Sequence, residues 1–381
     1  MTDALHLEDE HEMLRDQLRR FVEEEVKPHG AAWEEAGMVP RAVLRRMGAL
    51  GFLGIRYPEV YGGSAMDSRA TVVLAEELGR STFSGLAITA LVHTDMASVH
   101  LFNGGTEAQK ARHMPRVISG EAICAVAVTE PGAGSDVKAI RTTARRVGND
   151  RFVLNGTKMF ITNGVHADLY CVAAKTGGER PGRDITIFLV EKGTPGLRVA
   201  TQLDKHGWRS SDTAELSFED CEIPAESILG EEGRGFYAIM RNFQNERLVI
   251  GAMAMGEAQA ALELTIDYLK QRQAFDAPLW SKQAPRQRLS MLSARVAAAR
   301  QLVYGTALRE SRGEDVVREV SMIKALCGEL VNEVMYDCLQ FHGGAGYMRG
   351  MAIERMARDA RVQSIGGGAT EVMLEEVAKR L

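Results

Sequence analysis

One carboxylate in the stretch NFQNERLVIGAM, residues 242–253, stands among apolar side chains at helical spacing. The residues that share this helix face are Ile239, Phe243, Glu246, Ile250 and Met253. Glu246 is therefore predicted to point inward. No Lys or Arg lies three or four residues away along the helix, so burial should raise the pKa of Glu246 and make it a candidate general base. The alternative is an ion pair with a Lys or Arg on another helix.

Two stretches in the middle of the chain combine hydroxyls with glycines or an aromatic ring. In VAVTEPGAGSDVKA, Thr129 and Ser135 lie in a loop after a strand, where hydroxyls and N–H groups could approach a phosphate or a ring heteroatom. In GTKMFITNG, strand alternation places Phe160 and Thr162 on one face, where a planar cofactor could stack and hydrogen-bond. The alternatives are a connecting turn and an ordinary strand with a half-buried Phe. The third glycine of a dinucleotide-binding fingerprint is missing.

Three later stretches have turn signals. QRQAFDAPLWSKQ has Arg272 in the last turn of a helix, where it could satisfy the helix C-terminus or reach a phosphate. LQFHGGAGYM and SIGGGATEV are Gly-rich turns where a backbone could approach a ligand closely. His342, in the first of these turns, is predicted to be structural.

Composition limits the possible functions. The 381 residues are 45% hydrophobic with a formal net charge of −5, and no basic run interleaves with aromatics, so no nucleic-acid partner is expected. Five scattered cysteines without a CxxC pair predict a reducing cytoplasm and no metal site. The N-terminal MTDALHLEDEHEML does not have the pattern of a signal peptide. No window is expected to reach the apolar length of a membrane span.

The pattern along the chain predicts an α+β protein with three domains. Residues 1–122 read as an N-terminal helical domain, 123–231 as a middle β-sheet or small barrel, and 232–381 as a C-terminal helical domain. The long C-terminal helices are expected near 236–273, 285–311 and 316–341, followed by a last short helix.

Taken together and in order, five stretches resemble the acyl-CoA dehydrogenase family over almost the whole chain. They are VTEPGAGSD, NGTKMFITNG, KHGWRSSDTAEL, RQAFDAPLWSKQ and LQFHGGAGY. The resemblance implies an N-terminal helical domain, a middle β domain and a C-terminal four-helix bundle. It also implies noncovalent FAD, a homotetramer, and electron transfer to an electron-transferring flavoprotein.

The same resemblance assigns residues to cofactor and substrate. The cofactor-binding positions are Thr129, Ser135, Phe160, Ile161, Thr162, Arg272, Phe275, Gln283, Gln340, Gly343, Gly344, Thr370 and Glu371. The substrate-binding positions are Ser135, Arg247, Gly367 and Gly368. Several cofactor contacts would cross a subunit interface. Ala369 departs from the Thr that relatives commonly have, which puts the adenosine-side contact in doubt.

The resemblance also bears on the base. Many family members carry the catalytic Glu in the C-terminal loop, at the position of Gly367, whereas the isovaleryl-CoA and long-chain branches carry it on the helix before an Arg, as in Glu246–Arg247. Glu246 would remove the α-proton of an acyl-CoA thioester while the β-hydrogen leaves as hydride to flavin. The backbone N–H of Gly367 would donate to the thioester oxygen. The product would be a trans-2-enoyl-CoA.

Rival functions within this fold are an acyl-CoA oxidase and a flavin monooxygenase acting on a non-CoA substrate. A catalytically silent CoA-ester-binding scaffold is a rival from another class. The acyl chain is expected to be medium to long or branched, and the stretches YDCLQFHGGAGYM and DARVQSIGGG look most like the long-chain and citronellyl-CoA types.

Overall fold

The computed structural model describes residues 6–177 and 184–381. It begins with seven α-helices and two π-helical turns, Val22–Val26 and Val92–Ala97. The helices are α1 (Asp9–Phe21), α2 (Gly30–Ala36), α3 (Arg41–Ala49), α4 (Ser68–Gly79), α5 (Ser84–Leu91), α6 (Ser98–Gly104) and α7 (Glu107–Ile118). The π-helical turn Val92–Ala97 joins α5 directly to α6. The first five residues, where the signal-peptide prediction begins, lie outside the described residues.

The middle of the chain forms one eight-stranded sheet. Its strands are β1 (Cys124–Ala127), β2 (Thr143–Val147), β3 (Arg151–Thr162), β4 (Leu169–Lys175), β5 (Ile185–Glu191), β6 (Leu197–Gln202), β7 (Thr213–Pro224) and β8 (Ile228–Leu229). The order is β6-β7-β3-β2-β4-β5-β8, and β1 pairs in parallel with β4. Most other pairs are antiparallel, as expected for a sheet built from hairpins.

The last third is helical apart from a small hairpin formed by β9 (Gln273–Ala274) and β10 (Ala277–Pro278). Its helices are α8 (Gly235–Gln271), α9 (Gln283–Ser311), α10 (Val317–His342), α11 (Ala352–Ala360) and α12 (Thr370–Ala378). The long helix α8 packs against α9 and α10 and also against α4 of the N-terminal part. The helical ends therefore share one apolar core, while the sheet has a core of its own.

The α–β–α organisation is confirmed, but some elements differ from the sequence predictions. Strand β2 and helix α11 were not predicted. In β3 the pairing with β7 is irregular between Lys158 and Ile161, and Phe160 has a φ of +60°. Phe160 lies within this bulge, which interrupts regular alternation. Phe160 is exposed, Ile161 is buried and Thr162 is intermediate, as expected if Phe160 and Thr162 share a face.

Two helical runs correct the expectation that no segment has the length and apolar character of a membrane span. Ser84–Gly104 and Gly235–Gln271 both have that length and composition. Their most apolar windows are 94% and 78% buried by the rest of the chain. Core helices of globular domains have the same composition and burial, so these runs are weak indications of a membrane span.

Candidate active site

Glu246 lies on α8, inside the fold, on the predicted face. The residue is 7% exposed, and Ile239, Ile250 and Met253 of the same face are buried. Within residues 6–177 and 184–381 no Lys, Arg or His forms an ion pair with its carboxylate. Burial raises the pKa of Glu246 to about 8, against smaller lowering effects of Asn242 and Arg247. The carboxyl is thus a proton acceptor that titrates close to neutral pH.

Asn242, one helical turn before Glu246, is its hydrogen-bond partner. The Nδ2 group donates to Glu246 Oε1 at 2.9 Å. It also lies 3.3 Å from the carbonyl oxygen of Asp95 and 3.1 Å from that of Met96. Glu246 is therefore connected through one amide to the π-helical turn Val92–Ala97.

Two buried cations come after Glu246 in the chain: Arg247, the next residue, and Lys324, which faces Arg247. The residue Arg247 is 9% exposed, and its Nε atom is buried without a hydrogen-bond partner. Lys324 of α10 is 1% exposed and donates to the carbonyl oxygens of Gln363 and Gly368, at 2.5 and 2.9 Å. Burial, together with the like charge of Arg247, lowers the pKa of Lys324 to about 8.

The Gly-rich loop at residues 366–368 lies against α8 and Lys324. Gly367 has a φ of +67° and Gly368 a φ of +114°, conformations that glycine adopts most readily. A Cβ atom at residue 367 would come within 2.5 Å of Ile250 Cδ1 and 3.7 Å of Lys324 Cε. Ile250 follows Glu246 by one turn, so the loop that was predicted to carry the thioester donor lies beside the helix face of the predicted base.

The other loop of interest, around Thr129, is fixed to strand β3. The N–H of Met159 donates to the Thr129 carbonyl at 2.9 Å, which brings Thr129 beside Phe160. Below the loop, Lys158 donates to Glu130 Oε1 at 2.8 Å and to the Val128 carbonyl at 3.0 Å. Glu130 also accepts from the N–H groups of residues 141 and 142. This buried network holds Thr129 and leaves Ser135 exposed at the end of the loop.

A second group of predicted cofactor residues lies at the far end of α8. Tyr268 stacks on His342 with ring centroids 4.4 Å apart, which joins the end of α8 to the end of α10. Exposed residues surround this junction: Arg272, Phe275, Gln283, Gln340, Gly343 and Gly344. The Phe275 ring is 85% exposed. His342 also bonds the Cys338 carbonyl through Nδ1 at 2.8 Å, so the structural role predicted for it is confirmed.

The remaining predicted positions lie at the start of α12. Thr370 is buried and its hydroxyl is 3.5 Å from the Ser364 carbonyl, while Glu371 is exposed. Ala369 occupies the N-cap position and offers no side-chain acceptor to the first N–H groups of α12. These N–H groups remain available to another acceptor, so the Ala369 departure changes the helix cap itself.

Sequence reasoning missed three polar residues of these networks. Asn242 lies four residues before Glu246, and this spacing is the signal that could have identified it as a hydrogen-bond partner. Lys324 and Lys158 come from a distant helix and an adjoining strand. Their role is visible only in the folded chain, because each binds carbonyl groups of another segment.

One group of side chains within the described ranges could converge on a cation: Glu8, Glu10 and His11. Both carboxylates are exposed. Both His11 ring nitrogens already have partners, the Glu8 N–H and the Asp67 carboxylate, each at 3.3 Å. These three residues therefore do not support a metal site. The absence of a bound metal remains a prediction from the sequence.

Comparison with known proteins gives matches over nearly the whole chain. Family models for the acyl-CoA dehydrogenase N-terminal, middle and C-terminal domains match residues 8–121, 125–221 and 233–381. The mitochondrial long-chain specific acyl-CoA dehydrogenase of Mus musculus is 40% identical over 375 residues, covering 98% of this chain and 86% of that protein. The mitochondrial isovaleryl-CoA dehydrogenase of Pongo abelii is 36% identical over 375 residues, covering 97% and 88%. The crystal structure of an acyl-CoA dehydrogenase from Geobacillus kaustophilus superposes with a TM-score of 0.94 at 40% identity, with 98% of each chain covered.

The three-part fold, with helical ends around a central sheet, is the fold of solved acyl-CoA dehydrogenases. The chain belongs to the acyl-CoA dehydrogenase family. Its cofactor is accordingly FAD, and it is an oxidoreductase of the acyl-CoA dehydrogenase type.

The residues present fit FAD. Phe160 offers a ring that is 66% exposed, and the backbone of Thr129 is bound to that of Met159, the residue before it. A Cβ atom at Gly132 or Gly134 would meet nothing within 4 Å, so the loop leaves room for a ligand to approach its backbone. Within the described residues, the Arg272 guanidinium has no hydrogen bond or ion pair. It is free to bind a phosphate.

Proposed function

We propose that this protein oxidises the Cα–Cβ bond of long-chain or branched acyl-CoA thioesters to trans-2-enoyl-CoA, with Glu246 as the base. The observation that carries the proposal is the buried Glu246 carboxyl, which has no ion-pair partner among the described residues and a pKa raised to about 8. A scaffold without catalysis has no use for such a group, because desolvating it costs stability.

The chain's residues divide the work. Glu246 takes the α-proton, and the backbone N–H of Gly367 donates to the thioester oxygen as negative charge develops there. Arg247, Gly368 and Ser135 are proposed to hold the thioester and the CoA chain. FAD, held by residues that include Phe160 and Thr162, would supply the acceptor for the β-hydrogen and its electron pair. The substrate thus loses one proton and one hydride, and one C=C bond forms.

The acyl chain is proposed from two relatives whose names specify long-chain and isovaleryl substrates, at 40% and 36% identity. The direct test is anaerobic bleaching of bound flavin by straight and branched acyl-CoAs of graded length. Glu246→Gln should bind acyl-CoA without bleaching. The matched control is Glu257→Gln, which alters another fully buried Glu of α8 with a raised pKa and should bleach. If no acyl-CoA bleaches the wild type, or if Glu246→Gln bleaches equally fast, the substrate class or the base, respectively, is wrong.

The electron acceptor is proposed to be an electron-transferring flavoprotein, as the family resemblance implies. Reoxidation of the substrate-reduced enzyme should be fast with such a flavoprotein and slow with air. Rapid reoxidation by oxygen, with hydrogen peroxide formed in equal amount, would instead assign an acyl-CoA oxidase.

The five cysteines are all buried and unpaired, which supports the reducing cytoplasm as the proposed location.

A homotetramer is proposed because one chain separates the two groups of cofactor residues. The first group lies where residues 236–243, at the start of α8, pack with Val126 and Val128 just before Thr129. The second surrounds Arg272 at the end of that helix. Between Glu246 and Arg272 α8 runs for 26 residues, about 39 Å at 1.5 Å per residue. The two groups therefore lie towards opposite ends of α8, and we propose that a second copy supplies the distal contacts; the number of four copies follows from the family resemblance.

A further inference from the structure

The π-helical turn Val92–Ala97 presents its carbonyl groups to side chains of other segments. A π-helix closes hydrogen bonds over five residues, and such turns recur at functional sites. The Thr94 carbonyl accepts from Tyr57 at 2.6 Å, and the Ala97 carbonyl accepts from the Cys171 thiol at 3.4 Å. Between them, the carbonyls of Asp95 and Met96 accept from the first turns of α8. Of these four acceptors, the carbonyls of Asp95 and Met96 face the helix that carries Glu246.

Two asparagines of α8 bind these carbonyl groups in different ways. Asn245 donates to the Asp95 carbonyl at 2.8 Å and approaches the Asp95 carboxylate at 3.4 Å. Asn242 reaches the carbonyls of Asp95 and Met96 and also Glu246 Oε1. Both side chains anchor α8 to the turn, but only Asn242 contacts the proposed base.

The carbonyls determine which way the Asn242 amide faces. Backbone carbonyls only accept hydrogen bonds, so the amide nitrogen must face them and the amide oxygen must turn away. The Nδ2 group has two hydrogens: one can be shared between Asp95 and Met96, and the other points to Glu246. The orientation of the donor to Glu246 is therefore fixed by the N-terminal helical part of the chain.

We infer that Asn242 is a positioning residue, whose amide holds the Glu246 carboxylate in one orientation against the π-helical turn Val92–Ala97. This inference rests on the proposed role of Glu246 as base. Holding the carboxylate by a donor also favours its ionised form, which is the form that accepts a proton. Asn242 thereby offsets part of the effect of burial on Glu246.

The charged groups around Glu246 are few enough for this effect to be measured. On α8 the neighbour is Arg247, and on the π-helical turn it is Asp95, which is neutralised by Arg56 at 2.8 Å. From α10, Lys324 faces Arg247. None of these charges changes when Asn242 is replaced, so a shift in the titration of Glu246 reports the loss of the amide.

The test compares Asn242→Leu with Asn245→Leu as matched control, since both remove an amide that binds the Asp95 carbonyl. The first readout is the protonated-carboxyl infrared band that Glu246→Gln removes, followed against pH. The second is the pH profile of flavin reduction by the best acyl-CoA of the panel. Asn242→Leu should favour the protonated form about tenfold, moving both midpoints upward by about one pH unit, because the lost bond is to a charged acceptor. Asn245→Leu should leave both midpoints at the wild-type value.

Asn242→Asp provides a second variant of nearly the same shape. It lacks the donor and can add a negative charge, so it should move the midpoints at least as far as Asn242→Leu. The inference is wrong if both Asn242 variants titrate as the wild type does, or if Asn245→Leu shifts the midpoints as much as Asn242→Leu. The infrared titration needs no substrate, so it tests the role of Asn242 separately from the proposed function. Failure of the proposed function would appear as wild-type flavin that no acyl-CoA bleaches.

Discussion

Ile250 and Gly367 meet so closely that a Cβ atom at residue 367 would lie 2.5 Å from Ile250 Cδ1. The φ of Gly367, +67°, independently disfavours other residues. A side chain at the loop position of Gly367 would therefore require Ile250, on the helix that carries Glu246, to shift.

Gly367→Ala should lower the free energy of unfolding by about 1–3 kcal/mol, because it combines a left-handed backbone with a clash. Urea unfolding measures the change. Ile250→Ala in the same chain should recover the part that is due to the clash. The control is Gly305→Ala on α9, where a Cβ atom meets nothing within 4 Å and should stabilise by about 0.5–1 kcal/mol. Equal stability of Gly367→Ala and the wild type would contradict the close approach.

Glu246→Gln should stabilise the fold increasingly as the pH rises. The pKa of Glu246 is about 8 in the folded chain and 4.5 as its ordinary value. Below pH 4.5 the carboxyl is protonated in both states, and above pH 8 the folded chain must hold a buried charge, so wild-type stability falls between these values. The variant avoids this loss, which amounts to a few kcal/mol. Thermal unfolding of both proteins from pH 5 to pH 9 measures the divergence.

Glu263→Gln, on the same helix, is the control for this pH dependence. Partial burial raises the pKa of Glu263, but Arg80 and Gln259 outweigh it, and the pKa is lowered. Its ionised form is the stabilised one, so Glu263→Gln should gain no stability with pH. A constant difference between Glu246→Gln and the wild type at all pH values would mean that Glu246 is not desolvated.

Lys324→Met should impair catalysis while leaving FAD bound. The ammonium group joins α10 to the carbonyls of Gln363 and Gly368 on both sides of Gly367, so its loss frees the proposed thioester donor. We expect kcat/KM to fall about tenfold to a hundredfold, because hydrogen bonds from a charged donor are lost. Steady-state kinetics and the flavin absorbance ratio give the two readouts.

Lys205→Met is the matched control for Lys324. Lys205 is a half-buried lysine with a pKa lowered by desolvation to about 8, and it binds a carbonyl of a different loop, that of Ser211, at 2.6 Å. Its loss should cost stability with a smaller effect on kcat/KM. If both variants lose the same kcat/KM, Lys324 acts only through stability.

The buried pair Lys158–Glu130 should show non-additive stability. Lys158→Met leaves a carboxylate without its countercharge and should cost about 3–5 kcal/mol. Adding Glu130→Gln removes that charge and keeps an acceptor oxygen for one of the two N–H groups of residues 141 and 142, so the double variant should be more stable than Lys158→Met alone. Urea unfolding of the four proteins of the cycle measures this coupling. Additive losses would show that the pair does not interact.

Phe275→Ala should make FAD retention depend on protein concentration. The ring is 85% exposed on one chain and is among the proposed distal cofactor residues, so a neighbouring subunit is expected to use it. On serial dilution the variant should lose flavin at a higher concentration than the wild type, by mass action. Val60→Ala, at an 80% exposed residue of the N-terminal part, should behave as the wild type. A monomeric wild type that retains FAD would overturn the subunit proposal.

Periodicity was enough to find Glu246 but not its surroundings. A helix face can be recognised from spacing alone, so the burial of Ile239, Glu246 and Met253 followed from the sequence. Strand β2, TARRV, was not predicted because two adjacent arginines break the alternation of a half-buried strand. Helix α11 was not predicted because it lies between Gly-rich turns and three of its last six residues are charged.

The contacts that join separate elements could not be derived from spacing. Lys324 and Gly368 are 44 residues apart, and Asn242 and Met96 are 146 apart. Their meeting depends on how α8, α10 and the π-helical turn pack, which no local pattern encodes. The irregular pairing around Phe160 could not be predicted either, because a bulge is a property of two paired strands.

The wide turn at Val92–Ala97 makes the site sensitive to insertion and deletion. A π-helical turn differs from an α-helical turn by a single residue. Deleting one residue there would let Ser84–Gly104 run as one regular helix, turned by about 100° beyond the deletion. The acceptors for Asn242 would then point elsewhere, although the helix and its apolar composition would survive. A one-codon difference between homologous genes at this turn would thus separate chains that fold alike but hold Glu246 differently.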